Sequence, residues 1–221
     1  MASDSIDVRL FVSQAIGENA YLVRGRTSET AVAIDPGGAA DAMAADLVAS
    51  GLRLEAILLT HAHFDHVEGV ATLADRTGAP VYLHAADRPL YDHAANQAAL
   101  FGMYIEQPPA PDHELMHGQV LEMAGLRFEV RHAPGHSPGH VLLHVADAGV
   151  TFVGDVIFAG SIGRTDLPGG DFQQLMRSIR EQVLSLPDET VLYPGHGPAT
   201  TVGHERVANP FLTPQFGGGL A

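Results

Sequence analysis

Apolar, largely β-branched runs bounded by Gly and Pro recur along the chain: Val8 to Val12, Ala20 to Val23, Ala31 to Ile34, Leu54 to Leu59, Val81 to Leu83, Arg127 to Val130, Val141 to Val145, Val150 to Val153 and Val191 to Tyr193. Their lengths and flanks predict strands. Helix-compatible segments fall between some of them, at Ala39 to Ser50, Val67 to Thr77, Ala94 to Phe101 and Phe172 to Leu186, with Asp171 placed to cap the last. A β-rich order with interspersed helices predicts a layered α/β or α+β domain. The Pro-rich stretch Gln107 to Asp112 reads as a loop rather than a linker. Residues 1–221 are therefore expected to form a single domain, with Gly217 to Ala221 as a frayed tail.

Composition narrows the chemistry. Cysteine is absent, which removes disulfides, thiolate ligands and a cysteine nucleophile together, so any metal must be held by nitrogen and oxygen. A formal charge of -14, with 12 Lys+Arg against 26 Asp+Glu, argues against a nucleic-acid surface. All of those cations are Arg, so no lysine can form a Schiff base. The opening Met1 to Asp7 has neither a basic segment nor an apolar run, and no stretch is long and uncharged enough to span a bilayer. A cytoplasmic protein without membrane or nucleic-acid partners, monomeric or a small homo-oligomer, is expected. The 13 His are the composition's one strong anomaly.

Their placement is informative. In Leu58-Leu59-Thr60-His61-Ala62-His63-Phe64-Asp65-His66, four potential ligands fall within six residues directly after an apolar strand. A strand ending at Thr60 hands its next residues to a loop, where His61 and His63, two apart, can project to one side. Asp65 and His66 then sit where the chain turns into the next helix and can serve a second ion beside the first. His136, Asp155 and His196 each follow the carboxyl end of another apolar strand, which is how open α/β sheets assemble a site at one edge. Imidazole and carboxylate without thiolate suit Zn, Fe or Mn, and a carboxylate such as Asp155 can bridge two ions. Isolated histidines are ordinarily satisfied core or surface groups, and that reading applies to His84, His93, His113, His117, His144 and His204. His132 and His140, which flank His136, read as supporting groups.

The His-X-His-X-Asp-His run at His61 to His66 resembles the hallmark of the metallo-β-lactamase superfamily, and the likeness extends over nearly the whole chain. Asp35, in Ala33-Ile34-Asp35-Pro36-Gly37, resembles that family's first, largely structural acidic position. The resemblance implies a four-layered αβ/βα sandwich holding two divalent metal ions, with Zn the leading candidate and Fe or Mn as alternatives. It further implies His61, His63 and His136 on one metal, Asp65, His66 and His196 on the other, and Asp155 bridging.

Gly160 to Asp171 and Tyr193-Pro-Gly-His196-Gly-Pro, followed by Glu205-Arg206 and Asn209-Pro210-Phe211, look like the short glyoxalase II-like hydrolases, which cleave S-(hydroxyacyl)glutathione thioesters. Full-length members add a C-terminal helical region and bind glutathione through lysines; this chain ends soon after Phe211 and has no Lys. Arg164 is the cation expected to meet a substrate carboxylate. The implied reaction is thioester hydrolysis by a hydroxide held between two cations, with Asp65 orienting it. Related persulfide dioxygenases, which use one Fe, share Gly163-Arg-Thr-Asp166, but the continuation Leu167-Pro168-Gly169 favours the hydrolase. A lactone hydrolase of the same fold, a β-lactamase and a non-catalytic metal-binding protein are the remaining alternatives. The segment Asp87 to Asp112 is expected to overhang the site and supply apolar contacts through Tyr91, Phe101 or Tyr104.

Overall fold

The computed structural model describes residues 5–213. Its first sheet runs in chain order through β1 (Ile6–Val12), β2 (Asn19–Gly25), β3 (Thr30–Ile34), β4 (Arg53–Leu58), β5 (Val81–His84) and β6 (His113–Leu115). The first three strands pair antiparallel and the last four parallel. Five helices belong to this half: α1 (Ala40–Ser50), α2 (Phe64–Val67), α3 (Val70–Thr77), α4 (Arg88–Tyr91) and α5 (Ala94–Leu100). The second half contains β7 (Val120–Met123), β8 (Leu126–His132), β9 (Val141–Val145), β10 (Val150–Gly154), a small hairpin of β11 (Ile157–Phe158) and β12 (Ser161–Ile162), α6 (Phe172–Ser178), β13 (Val191–Pro194), β14 (Thr200–Thr201) and α7 (Val202–Ala208). Its sheet has the order β14-β13-β10-β9-β8-β7.

The central strands β2, β3, β9 and β10 are covered on both faces, which explains why they read as apolar runs, whereas β5, β7, β8 and β13 alternate in burial. Successive side chains in a strand point to opposite faces. Val32 and Ile34 of β3 accordingly enter the core between the sheets with Phe128, Leu143 and Phe152. Ala31 and Ala33 of the same strand pack outward under Met43, Leu47, Val70 and Leu73 of α1 and α3. On the other side Leu142, Val153 and Leu192 face Leu175 of α6, Ile179 and Val202 of α7. The result is the expected four-layered αβ/βα sandwich.

Several expected boundaries shift. The helix expected over Val67 to Thr77 is interrupted at Glu68-Gly69 and resumes as α3. Gly69 lies so close to the Gly37 carbonyl and to Ala40 that a Cβ there would overlap both. The segment Phe172 to Leu186 is α-helical only to Ser178 and continues as a wider π turn over Ile179–Val183. Asp171 caps it as expected, accepting a hydrogen bond from the Gln174 N–H at 2.9 Å. The tail Gly217 to Ala221 lies outside the described residues. Among the described residues, no helix is long and apolar enough to cross a membrane.

Candidate metal centre

Parallel strands put their carboxyl ends on one edge, and both sheets use that edge for the same purpose. β3 and β4 deliver Asp35 and the His61 to His66 loop; β8, β10 and β13 deliver His136, Asp155 and His196. Backbone hydrogen bonds stitch the edges together, from the Val141 N–H to Thr60 O at 2.8 Å and from the Asn19 N–H to Gly195 O at 2.7 Å. The loops therefore meet over a shared, largely buried floor.

Two groups of donors converge there, His61 with His63 and His136, and Asp65 with His66 and His196, each with ligand atoms within 4.8 Å of one another. Asp155 lies between them. Its Oδ2 is 3.6 Å from His136 Nε2 and 3.7 Å from His196 Nε2, and its Oδ1 is 3.5 Å from His66 Nε2. All seven residues singled out from the sequence are thus brought together. Asp35, His61 and His66 also lie within that limit of one another. Asp35, however, is already committed: it accepts from the Thr60 N–H at 2.7 Å, from Thr60 Oγ1 at 2.6 Å and from His66 Nδ1 at 3.1 Å. Its role is to hold the loop and one ring, as expected.

These contacts fix the imidazole tautomers. Because Thr60 gives its hydroxyl proton to Asp35, it can only accept from His61 Nδ1, 3.0 Å away. His66 Nδ1 donates to Asp35, and His136 Nδ1 donates to the Arg164 carbonyl at 2.8 Å. With a proton held at Nδ1 on all three rings, Nε2 is the nitrogen that faces the cluster. The Nε2 atoms of His61 and His66 and Asp155 Oδ1 are buried without a hydrogen-bond partner. Buried polar atoms are rarely left so. A cation is the partner their chemistry suits, and the donor set fits a pair of divalent ions.

The two groups differ electrostatically. Burial lowers the His61 imidazole far below its usual range and brings His63 down to about 3, reinforced by neighbouring imidazoles. Burial also works against protonation of His66 and His196, but the Asp155 and Asp65 carboxylates outweigh it and raise both. Burial alone would push the Asp155 carboxyl up; His66, His136 and His196 hold it well below the carboxylate range.

A family profile described as the metallo-beta-lactamase superfamily matches residues 15–196. The chain belongs to that superfamily. Among relatives, hydroxyacylglutathione hydrolase GloC of Haemophilus influenzae is 36% identical over 209 residues, which is 94% of this chain and 98% of the relative. The crystal structure of BLEG-1 B3 metallo-beta-lactamase superposes with a TM-score of 0.88 at 42% identity, covering 94% of this chain and all (100%) of that one. TTHA1623, crystallised in a di-iron-bound form, gives a TM-score of 0.86 at 46% identity and covers 93% and 100% of the two chains.

In this superfamily member the cluster floors an open cavity of about 590 Å³, walled by Ile16, Phe64, Phe101, Met103, Phe158, Ile162 and Leu167 with Arg164 and Gln97. Of the three aromatic residues expected to contact substrate, only Phe101 lines it, its ring stacked on Phe64 at 5.1 Å. Tyr91 is buried and donates to Pro109 O at 2.8 Å, bracing the overhanging segment from inside, while Tyr104 is 95% exposed away from the cavity. Arg164 reaches the rim, where its Nε and Nη2 pair with both Asp166 oxygens at 2.7 and 2.8 Å.

His140 supports the site as expected: its Nε2 accepts the Asp155 N–H at 3.0 Å and its ring stacks on His61 at 4.7 Å. His132 stacks on His84 at 4.2 Å and bonds Pro138 O at 2.9 Å, a purely structural pair. Two buried acids carried no sequence signal. Asp87 accepts from the Ala62 N–H, Ser137 Oγ and the Gly139 N–H at 3.0, 2.7 and 2.5 Å, tying the His61 to His66 loop to the His136 to His140 loop. Glu18 is fully buried against Gly37, and burial raises its carboxyl well above the ordinary range.

Proposed function

We propose that the chain is a metal-dependent hydrolase that cleaves thioesters, in the manner the name hydroxyacylglutathione hydrolase gives its GloC relative. His61, His63 and His136 would hold one divalent ion, Asp65, His66 and His196 a second, and Asp155 would bridge them. The observation that carries this reading is the convergence of buried His61 Nε2 and His66 Nε2, unpartnered by hydrogen bonds, with Asp155 Oδ1 3.5 Å from His66 Nε2. Zinc is the first candidate for both ions, with iron or manganese compatible with the same donors. When bound, such ions make water acidic enough to ionise near neutral pH and polarise a carbonyl.

The chain's residues supply the rest. Asp65 faces the cavity and can accept a hydrogen bond from the attacking water, orienting it toward the substrate carbonyl. Thr60, Asp35 and the Arg164 carbonyl hold protons at Nδ1 of His61, His66 and His136, so those rings act as fixed donors. The Phe64 and Phe158 walls limit water around the acyl group. Little general acid is required, because a thiol has a pKa of roughly 8 to 9 and its thiolate leaves readily. Arg164, at the rim, is the side chain proposed to touch the distal part of the substrate. A persulfide dioxygenase needs only one ion and leaves the Asp65, His66 and His196 group unexplained; a lactone hydrolase would use the same groups on another carbonyl.

Elemental analysis of the purified protein coupled to a thioester assay tests the proposal. Two equivalents of metal and turnover are expected, and Asp155→Ala should lose at least one equivalent together with most activity. Full metal content and full turnover in Asp155→Ala would overturn the assignment.

A further inference from the structure

The cavity above the cluster is unusual in what it does not offer. Its walls combine Ile16, Phe64, Phe101 and Met103 from one half of the sandwich with Phe158 and Leu167 from the other. The Gln97 side-chain NH2 donates to Ala62 O at 3.2 Å and to Leu90 O at 2.6 Å, so its donors are already engaged. Arg164 is the one Arg lining the cavity, and the Nε–Nη2 edge of its guanidinium is held by both Asp166 oxygens, which offset its charge at the rim. No other Arg lines the cavity, and the chain has no Lys. Phe101 is 54% exposed at the mouth, where its ring stacks on Phe64 and leaves the other face open.

A glutathione thioester brings two carboxylates and an ammonium. Placing carboxylates against these walls strips their water and returns only a cation already paired with Asp166, which is unfavourable. The same walls reward apolar surface in proportion to the area buried. Resting on the thioesterase reading above, we infer that the preferred substrate is an uncharged thioester with an apolar acyl group of several carbons, and that Asp166, by offsetting the charge of Arg164, disfavours carboxylate-bearing thiols. The acyl chain lies along Phe64, Phe101 and Met103. Water oxygen bonds to the carbonyl carbon, the C–S bond breaks with its electron pair leaving on sulfur, and the water's protons end on the thiolate and in solvent, giving a carboxylate and a thiol.

The test uses the metal-loaded protein with S-acetyl, S-butanoyl and S-hexanoyl N-acetylcysteamine, and with S-lactoylglutathione. The inference expects kcat/KM to rise about fourfold per added methylene and the hexanoyl ester to exceed S-lactoylglutathione by at least tenfold. Phe101→Ala should flatten the chain-length series through KM. Asp166→Ala, which frees Arg164, should raise the ratio of S-lactoylglutathione to hexanoyl-ester activity at least fivefold. A flat series with S-lactoylglutathione preferred overturns the inference and leaves thioester hydrolysis standing. Metal-loaded protein that cleaves none of the four esters overturns both.

Discussion

At the scale of single residues, the site depends on atoms that are kept out as much as on those brought in. Gly195 precedes His196, and a Cβ built there would fall on Asp155 Oδ1 and lie 2.6 Å from His66 Cε1. Two of the proposed donors occupy the space a side chain would need. Gly195→Ala is therefore expected to fold but to bind about one equivalent of metal less than wild type and to lose more than tenfold in turnover, checked by elemental analysis beside circular dichroism. The candidate donors were legible because histidine and aspartate stood immediately past apolar strands. The groups that orient them were harder to see: Asp87 acts through backbone N–H groups of residues 62 and 139, contacts that follow from the fold and leave no spacing in the sequence.

At the scale of elements, Asp87 joins the loop after β4 to the loop before β9. It accepts three hydrogen bonds while fully buried. Removing it leaves those donors without partners, at about 1–3 kcal/mol for each buried unsatisfied group. Asp87→Ala should lower the stability of the metal-free protein by at least 2 kcal/mol in a urea titration, an order-of-magnitude expectation; a change below about 0.5 kcal/mol, the level of an ordinary surface substitution, would contradict the cross-link. Long strands buried on both faces were readable from their apolar runs. What escaped were short pieces whose pairing comes from neighbours rather than pattern: β6, β7, β14 and the β11–β12 hairpin, with exposed positions in β6 and β7. Helix α7 escaped as well, since Gly203 interrupts its pattern, although Thr201 caps it by accepting from the His204 N–H at 3.2 Å. The break before α3 also needed the fold to be seen, because it is set by Gly37 across the interface.

At the scale of the whole molecule, the two donor groups bring different protonation behaviour to one cleft. His61 and His63 are held neutral by burial, with His63 at about 3, so these two rings carry no extra proton at pH 7. His66 and His196 are raised by Asp155 and Asp65 despite their burial, so these two rings hold a proton more tightly in the metal-free protein. Metal binding there must release it. Titration calorimetry in buffers of different ionisation enthalpy should show proton release for one equivalent and little for the other, and only the proton-releasing equivalent should tighten as pH rises from 6.5 to 8. Equal proton release in both steps would contradict this division.

The sign for stability follows from the same groups. A histidine lowered to about 3 contributes stability that is complete above its unfolded value near 6.5 and is lost as pH falls from there toward 3, by roughly 1.4 kcal/mol per pH unit. His66 and His196 act oppositely: their contribution is present below the unfolded value and is lost as pH rises through their raised ones. Chelation of the loaded protein should lower Tm, since ions that bind only the folded state stabilise it.

The central claim is that both sheets lend their carboxyl edges to one pair of ions. Diffraction from crystals of the purified protein, recorded at the absorption edge of the bound metal, tests it most directly. Two anomalous peaks per chain are expected, one within about 2.0–2.2 Å of nitrogens of His61, His63 and His136 and the other equally close to Asp65, His66 and His196. Peaks located elsewhere, or these donors turned away from any ion in metal-loaded crystals, would contradict it.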